Sequence, residues 1–467
     1  MRLLRPLFII TVLLALVLPM TAQSTFILTV SPADVNTVLN NHGLTIIKEL
    51  HDGTTCVYLV SSASADVSGT ETEVESDLLV AGFEPDQNPV LPELSSLSQA
   101  VLMQSNTSIL DTLPGRTLVP FFGSTVPSNY TSQTATSIIR LDDARTATRL
   151  TGTGVVAIID TGADPNHPAL AAVLVAGYDF TRETAGFSEF ADLPSNLAAA
   201  LQQSNTSILD AQNMAPLDNS TALILAQSNT SILDQSNTSI LDSGYAEFGH
   251  GTMVAGIVHL VAPTAKIMPL KAFRADGSSN LSDIVSAIYF AADNGANVIS
   301  MSFSMAQSSP SLQTAIQYAL NKNVTLVAAS GNDGVKTLVF PASYGGVEGI
   351  ASTTNTDLRS TFSNYGSGVT LFAAPGEGVI TTYPGGLYAA GWGTSFSAPM
   401  VAGSAALVLQ AKPAAKPGDV TNALSKAKQI SGLGGYGRID LYQSLTNLVG
   451  SSSSTSGSNT SGTSTKP

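Results

Sequence analysis

The sequence predicts an α/β protein: a three-layer domain with a mostly parallel central sheet flanked by helices, preceded by a small α+β domain. Three observations carry this. From residue 134 to about 449, buried-type strands alternate with helical stretches, the pattern of a parallel sheet covered on both faces. The clearest strands, residues 155–159 and 327–329, are unbroken apolar runs rather than alternating ones. The chain is also long and apolar enough, at 467 residues and 43% hydrophobic, to bury a large core.

Composition excludes more than it identifies. Charged residues make up 12%, about half the usual share of ~25%. The net charge of −14 argues against a phosphate backbone as partner, because such binding rests on Lys and Arg, so no nucleic acid is expected. A single cysteine, Cys56, rules out an intramolecular disulfide and any Cys-built metal centre. The five histidines (His42, His51, His167, His250, His259) fall in no HExxH spacing, which argues against zinc-protease chemistry.

In chain order, residues 1–22 read as a signal peptide. Arg2 and Arg5 precede an apolar run over 7–18, and Ala22 stands at the cut. That run is shorter than the ~20 residues a spanning anchor needs. No later segment reads as a membrane span, so a secreted protein is expected. Residues 23–91 form a compact mixed unit with strands at 26–30, 43–47 and 55–60 and a helix at 33–41. Residues 92–133 read as a polar linker, 134–449 as the main domain with an insertion at about 181–245, and 450–467 as a flexible Ser/Thr/Gly tail. The octapeptide Gln-Ser-Asn-Thr-Ser-Ile-Leu-Asp starts at Gln104, Gln203, Gln227 and Gln235. Its irregular spacing is no solenoid period, and a duplicated insertion in tolerant loops explains it better than a binding or glycosylation element.

Four short segments carry the chemistry. An apolar strand ends in Asp160-Thr161-Gly162, which places Asp160 where ligands gather in open α/β sheets. Phe248-Gly249-His250-Gly251-Thr252 opens a small-residue helix with His250 in its first turn. Ala328-Ala329-Ser330-Gly331-Asn332 delivers a carboxamide able to donate to an oxyanion. Gly393-Thr394-Ser395-Phe396-Ser397 leads into an Ala-rich helix. Pro399, tolerated in a first turn, puts Ser395 at or just before its start, beside unpaired N–H groups. Each segment alone is an ordinary turn or packed helix end. Together Asp, His, Asn and Ser, in that order, supply the parts of acyl transfer.

With these motifs, residues 134–449 resemble a subtilisin-type (subtilase) serine peptidase domain. The resemblance implies catalytic Asp160, His250 and Ser395, with Asn332 as oxyanion donor, and protein or peptide substrates. Residues 25–91 are similar to the family's inhibitory propeptide, which implies an intramolecular inhibitor released by self-cleavage in the linker. Segments matching the family's pocket walls are Ser302-Phe303-Ser304 and Ala328-Ala329-Ser330, with Ser278 and Ser279 beside extended substrate. Their small or apolar character, with no acid among them, implies broad endopeptidase action with an apolar preference before the scissile bond.

The chain also departs from the family pattern. Asp160 and His250 lie 90 positions apart, an unusually long interval holding three octapeptides. Met253 stands where a second His is common, and Trp392 where Asn is common. Ala169 replaces a calcium-binding Asp, and residues 256–263 leave no room for the loop that supplies other calcium ligands. No required cofactor is expected; a structural calcium is left open, although the family's usual strong site is expected to be missing. Two rival readings are a catalytically silent or self-inhibited binding protein on the same scaffold, and a nucleotide-binding oxidoreductase. The second lacks its fingerprint, since Gly152 and Gly154 precede a strand instead of following one.

Overall fold

The computed structural model describes residues 23–89, 91, 117–196, 198, 245 and 247–454; the expected signal peptide, all four octapeptides and residues 455–467 lie outside the described residues. Contacts divide the chain into two units, Met1–Pro85 and Asp86–Pro467.

In the first unit, β1 (Ser24–Val30), β2 (Leu44–His51), β3 (Cys56–Ser62) and β4 (Val80–Pro85) form one sheet in the order β2-β3-β1-β4, with every pairing antiparallel. Helix α1 (Val35–His42) ends at Gly43, whose φ of 60° gives the left-handed cap that glycine adopts most readily. Helix α2 (Val67–Glu75) has little apolar periodicity to announce it. It starts where the Asp66 side chain accepts the Gly69 N–H at 2.9 Å. Phe26, Leu28 and Val30 of β1 pack with Tyr58, Val60 and Phe83, and the Phe26 and Phe83 rings stack at 4.7 Å.

Among the described residues of the second unit, the first regular element is a hairpin, β5 (Leu118–Phe121) and β6 (Ser124–Pro127), inside the stretch read as linker. Phe121, Val126 and the following Tyr130 are held down by packing against Ala169, Leu260 and Ile380. Helix α3 (Leu141–Thr148) precedes β7 (Val155–Asp160), then the short β8 (Tyr178–Asp179) and β9 (Thr184–Ala185). After α4 (His250–Val261) come β10 (Lys266–Lys271), α5 (Leu281–Asp293), β11 (Val298–Met301), α6 (Pro310–Asn321), β12 (Thr325–Ala329), β13 (Val347–Thr353) and β14 (Phe372–Pro375). A separate hairpin, β15 (Val379–Tyr383) and β16 (Leu387–Gly391), leads into α7 (Thr394–Ala411). Helix α8 (Pro417–Leu424), β17 (Gly437–Arg438) and α9 (Leu441–Ser454) follow, so helix continues past Gly450 into the stretch read as tail.

The main sheet runs β17-β14-β13-β12-β11-β7-β10-β8-β9, parallel throughout except for β8 with β9. Its strands carry apolar side chains on both faces because helices cover both, as the unbroken runs require. Helix α7 is buried from Thr394 through Leu409 and α4 along its whole length, which is why neither has a polar stripe. Strand order reverses at β7. The chain goes one way to β10 and the other way through β11, β12, β13 and β14. The crevice beyond the carboxyl ends of β7 and β11 is therefore the position this topology offers to a ligand. No helix among the described residues is long and apolar enough to cross a membrane.

Candidate active site

The four motifs meet at that crevice. Asp160 is the last residue of β7, His250 the first of α4, Ser395 the second of α7, and Asn332 follows β12 by a short turn. All four are buried, none more than 2% exposed.

Asp160 and His250 are in direct contact, Nδ1 to Oδ1, at 2.7 Å. The same carboxylate oxygen accepts the Thr161 N–H at 2.7 Å, so the acid is fixed by its own turn before it meets the imidazole. Glycine is required where the two elements touch, since a Cβ on Gly251 would collide with the Gly162 backbone. The His250 ring lies 5.5 Å from the ring of Phe396, the neighbour of Ser395.

Ser395 is held by a reciprocal pair. Its Oγ donates to the Ser302 carbonyl at 3.2 Å, and Ser302 Oγ donates to the Ser395 carbonyl at 3.0 Å. This pair corrects the reading of Pro399, which lies in the second turn of α7 and not in the first. A proline there cannot donate to the carbonyl four residues back. That carbonyl belongs to Ser395, and the Ser302 hydroxyl satisfies it instead.

Asn332 is oriented by Thr394. Its Oδ1 accepts the Thr394 N–H at 2.9 Å and the Thr394 hydroxyl at 2.8 Å. With the oxygen taken by two donors, the carboxamide nitrogen is the end that donates.

A second set of buried groups backs the acid–imidazole pair, and sequence reasoning missed it. Glu189, in a single 3-10 turn (Glu189–Asp192), accepts the hydroxyls of Thr161 and Thr252 and the Gly251 N–H at 3.1 Å. Burial pushes its carboxyl up to about 7. The two threonine hydroxyls oppose that rise, nearby Asp160 adds to it, and nearby Lys271 opposes it. Lys271 is itself fully buried. It donates to the carbonyls of Thr161 at 2.8 Å and Phe273 at 2.7 Å and to Asp192 at 2.6 Å.

The residues expected to wall the substrate cleft are spread around this centre. Phe303 is wholly buried, its ring 5.3 Å from that of Phe273. Ala328 and Ala329 are buried within β12, and Ser330 Oγ donates to the Asn364 carbonyl at 3.3 Å. Ser302 is engaged with Ser395, while Ser304, after β11, stays half-buried. Ser278 and Ser279 lie on an edge along which the chain's own residues 87, 89 and 91 pair. Leu91 N–H donates to the Gly277 carbonyl at 3.1 Å, Ser279 N–H to the Pro89 carbonyl at 3.0 Å, and Leu281 N–H to the Gln87 carbonyl at 2.8 Å. Trp392 is buried at 6% exposure. Met253 lies inside the core, where its carbonyl accepts the Thr381 hydroxyl at 2.6 Å.

No group of three or more His, Cys, Asp or Glu suited to a metal occurs among the described residues. At the position matching the calcium-binding Asp, Ala169 is packed with Phe121, Val126, Tyr130, Leu260 and Ile380. That side chain offers no oxygen to a hard cation.

The topology places the chain among α/β proteins with a site at the switch point of a parallel sheet. Sequence comparison narrows this class: the profile of the subtilase family matches residues 152–456, and the chain belongs to that family. Among curated relatives it is similar to "Thermophilic serine proteinase" of Bacillus sp. (strain AK1), with 32% identity over 295 residues covering 62% of this chain and 61% of that protein. It is 32% identical over 304 residues to thermitase of Thermoactinomyces vulgaris, covering 62% of this chain and 88% of that protein. Against subtilisin BL of Lederbergia lenta, 38% identity over 174 residues covers 35% of this chain and 64% of that one. The chain thus spans somewhat less than two thirds of the first and third of these. Among solved structures, fervidolysin from Fervidobacterium pennivorans shares the fold, with a TM-score of 0.61 at 21% identity covering 91% of this chain and 61% of that one. A protease from Pseudoalteromonas arctica matches with a TM-score of 0.50 at 28% identity, covering 66% of this chain and 94% of that one.

Proposed function

We propose that this chain is an exported serine endopeptidase that cleaves peptide bonds through an acyl-enzyme on Ser395. The observation that carries the reading is the buried Asp160–His250 contact at 2.7 Å with the Ser395-bearing start of α7 against the same imidazole. In this scheme Ser395 Oγ attacks the scissile carbonyl, after a rotation that exchanges its bond to Ser302 for one to His250. His250 takes the proton as base and returns it to the leaving amine as acid. Asp160 holds the tautomer with Nδ1–H toward itself and stabilises the imidazolium. Asn332 Nδ2 and a backbone N–H at the start of α7 stabilise the oxyanion. The small, acid-free segments at 302–304 and 328–330 favour broad cleavage after apolar residues.

A self-inhibited state of the same enzyme has its own support. Gln87, Pro89 and Leu91 already make with residues 277–281 the backbone pairing an extended substrate would use, so we propose that the chain is latent until it is cut in the stretch that follows. The test is labelling of protein recovered from culture medium with an organophosphorus reagent, read by mass spectrometry beside Ser395→Ala. An adduct on Ser395 that grows as the N-terminal region is lost, with roughly a 10⁴-fold or larger fall in kcat/KM for Ser395→Ala, is expected. A processed protein that takes no adduct would establish the silent binding protein instead.

We further propose that apolar packing around Ala169 takes the place of the family's strong calcium site. A chelator such as EDTA should then leave the thermal midpoint unchanged to within about 1 °C, whereas a bound structural ion with [L] at 100 Kd would contribute about 2.7 kcal/mol. A fall of several degrees overturns this.

A further inference from the structure

We propose that Glu189 is a positioning residue that ties the carboxylate-bearing end of β7 to the imidazole-bearing start of α4 and so sets the base strength of His250. The inference rests on the triad reading above and concerns a residue that no motif contains.

The geometry singles out this carboxyl. One of its oxygens accepts both the hydroxyl of Thr161, next to Asp160, and the N–H of Gly251, next to His250. The other oxygen accepts the hydroxyl of Thr252, one residue further along α4. Thr161 Oγ1 also accepts the Gly251 N–H at 2.9 Å, so the bridge is cross-braced. Each link falls on a near chain neighbour of a catalytic side chain, and none falls on the catalytic side chain itself. Moving Glu189 therefore moves the Asp160–His250 distance, and small errors in such geometry cost rate steeply.

Glu189 is itself held. Its N–H donates to the Ala163 carbonyl at 3.4 Å, and Ala163 N–H donates to the Phe187 carbonyl at 2.9 Å, which docks this part of the insertion onto the turn after Asp160. A Cβ at Gly162 would strike the Phe187 carbonyl, so the docking depends on the glycine of the Asp-Thr-Gly turn. The residue is 1% exposed, so bulk solvent does not compete for its carboxyl. The charged and titratable groups around it are Asp160, Lys271, Tyr383 and, through Tyr383, Glu247.

The electrical consequence has a definite sign. Above about pH 7, where the Glu189 carboxyl is ionised, its anion favours the imidazolium of His250, the state reached as the proton leaves Ser395. Removing that anion lowers the basicity of His250 and weakens imidazolium stabilisation in the transition state. Glu189→Gln keeps the shape and can still meet both threonine hydroxyls, which rotate to suit.

The experiment compares kcat and KM for processed wild type and Glu189→Gln from about pH 5 to pH 9, the range around an ordinary imidazole. The expected result is a roughly tenfold fall in kcat near pH 8 with KM unchanged, and an acid limb displaced to lower pH by up to about half a unit, because the wild-type carboxyl is itself partly protonated near pH 7. The low-field proton of the Asp160–His250 hydrogen bond, followed by NMR in the Ser395→Ala background, should titrate with the same displacement, which needs no turnover. A purely structural role would lower the melting temperature and leave both midpoints in place; that outcome overturns the inference. Should Glu189→Gln not fold, Thr161→Val removes the cross-brace, and a wild-type kcat in that variant overturns the inference equally. Ser395→Ala separates the two layers of argument. If it stays active, the triad reading fails; if it is inactive while Glu189→Gln matches wild type, only the role of Glu189 fails.

Discussion

The two halves of the candidate site are built differently. Asp160 and His250 rest on buried charge, with Glu189, Lys271 and Asp192 packed behind them and joined through threonine hydroxyls and backbone. Ser395 and Asn332 rest on neutral groups: the Ser302–Ser395 pair and the two bonds from Thr394 to Asn332. The difference follows the proposed chemistry. The acid–imidazole half must carry a positive charge that comes and goes, and the ionisable groups behind it tune that charge. The nucleophile half must present a hydroxyl and an oxyanion donor in one geometry, which neutral bonds fix without adding a field of their own.

The largest effect that would sharpen this contrast is at Asn332. Asn332→Ala should lower kcat roughly 10²–10³-fold with little change in KM, because the carboxamide is proposed to act only on the developing oxyanion. Its acid limb should stay with that of wild type, since no charge is removed. A shift of that limb in Asn332→Ala would show that the two halves are not electrically separate. Steady-state kinetics across the pH range decide this.

The halves also differ in how much of them the sequence displays. Asp160, His250, Asn332 and Ser395 are legible because each is a polar residue at the end of an apolar run beside glycines, and the order of the four is specific. Thr161, Thr252 and Thr394 stand inside the same motifs, yet a threonine in a turn reads as a spacer until its partner is known. Glu189 is not legible at all. It lies in an insertion without periodicity, and its role depends on a contact with residues 62 positions away. Pro399 is misplaced for the same kind of reason: local rules forbid it where it stands, and a hydroxyl from a distant strand end supplies the missing donor.

At the level of fold, the alternation of strands and helices announces the parallel sheet because burial on both faces leaves unbroken apolar runs. The hairpin at 118–127 is less visible, with only Phe121 and Val126 of its eight strand residues buried in the cluster. Helix α2 is harder still, since only Thr70 and Val74 of its residues are buried.

A buried acid outside the site provides the control that the contrast needs. Glu348, in β13, is 2% exposed and accepts the Thr421 hydroxyl of α8 at 2.8 Å. Burial pushes its carboxyl up to about 7, opposed by that hydroxyl, so it matches Glu189 in titration but touches neither Asp160 nor His250. The folded state binds this proton more tightly than the unfolded chain, whose ordinary value is 4.5. The stability it contributes is complete below about pH 4.5 and is lost as pH rises through about 7. Glu348→Gln keeps the group neutral at every pH. It should therefore be more stable than wild type at pH 8, by about 3 kcal/mol at most, and nearly equal to it at pH 4. Urea unfolding at the two pH values measures this, and the kcat/KM acid limb should not move. An acid limb displaced in Glu348→Gln as far as in Glu189→Gln would mean that activity follows any buried carboxyl of this domain, and the charge behind His250 would lose its special place.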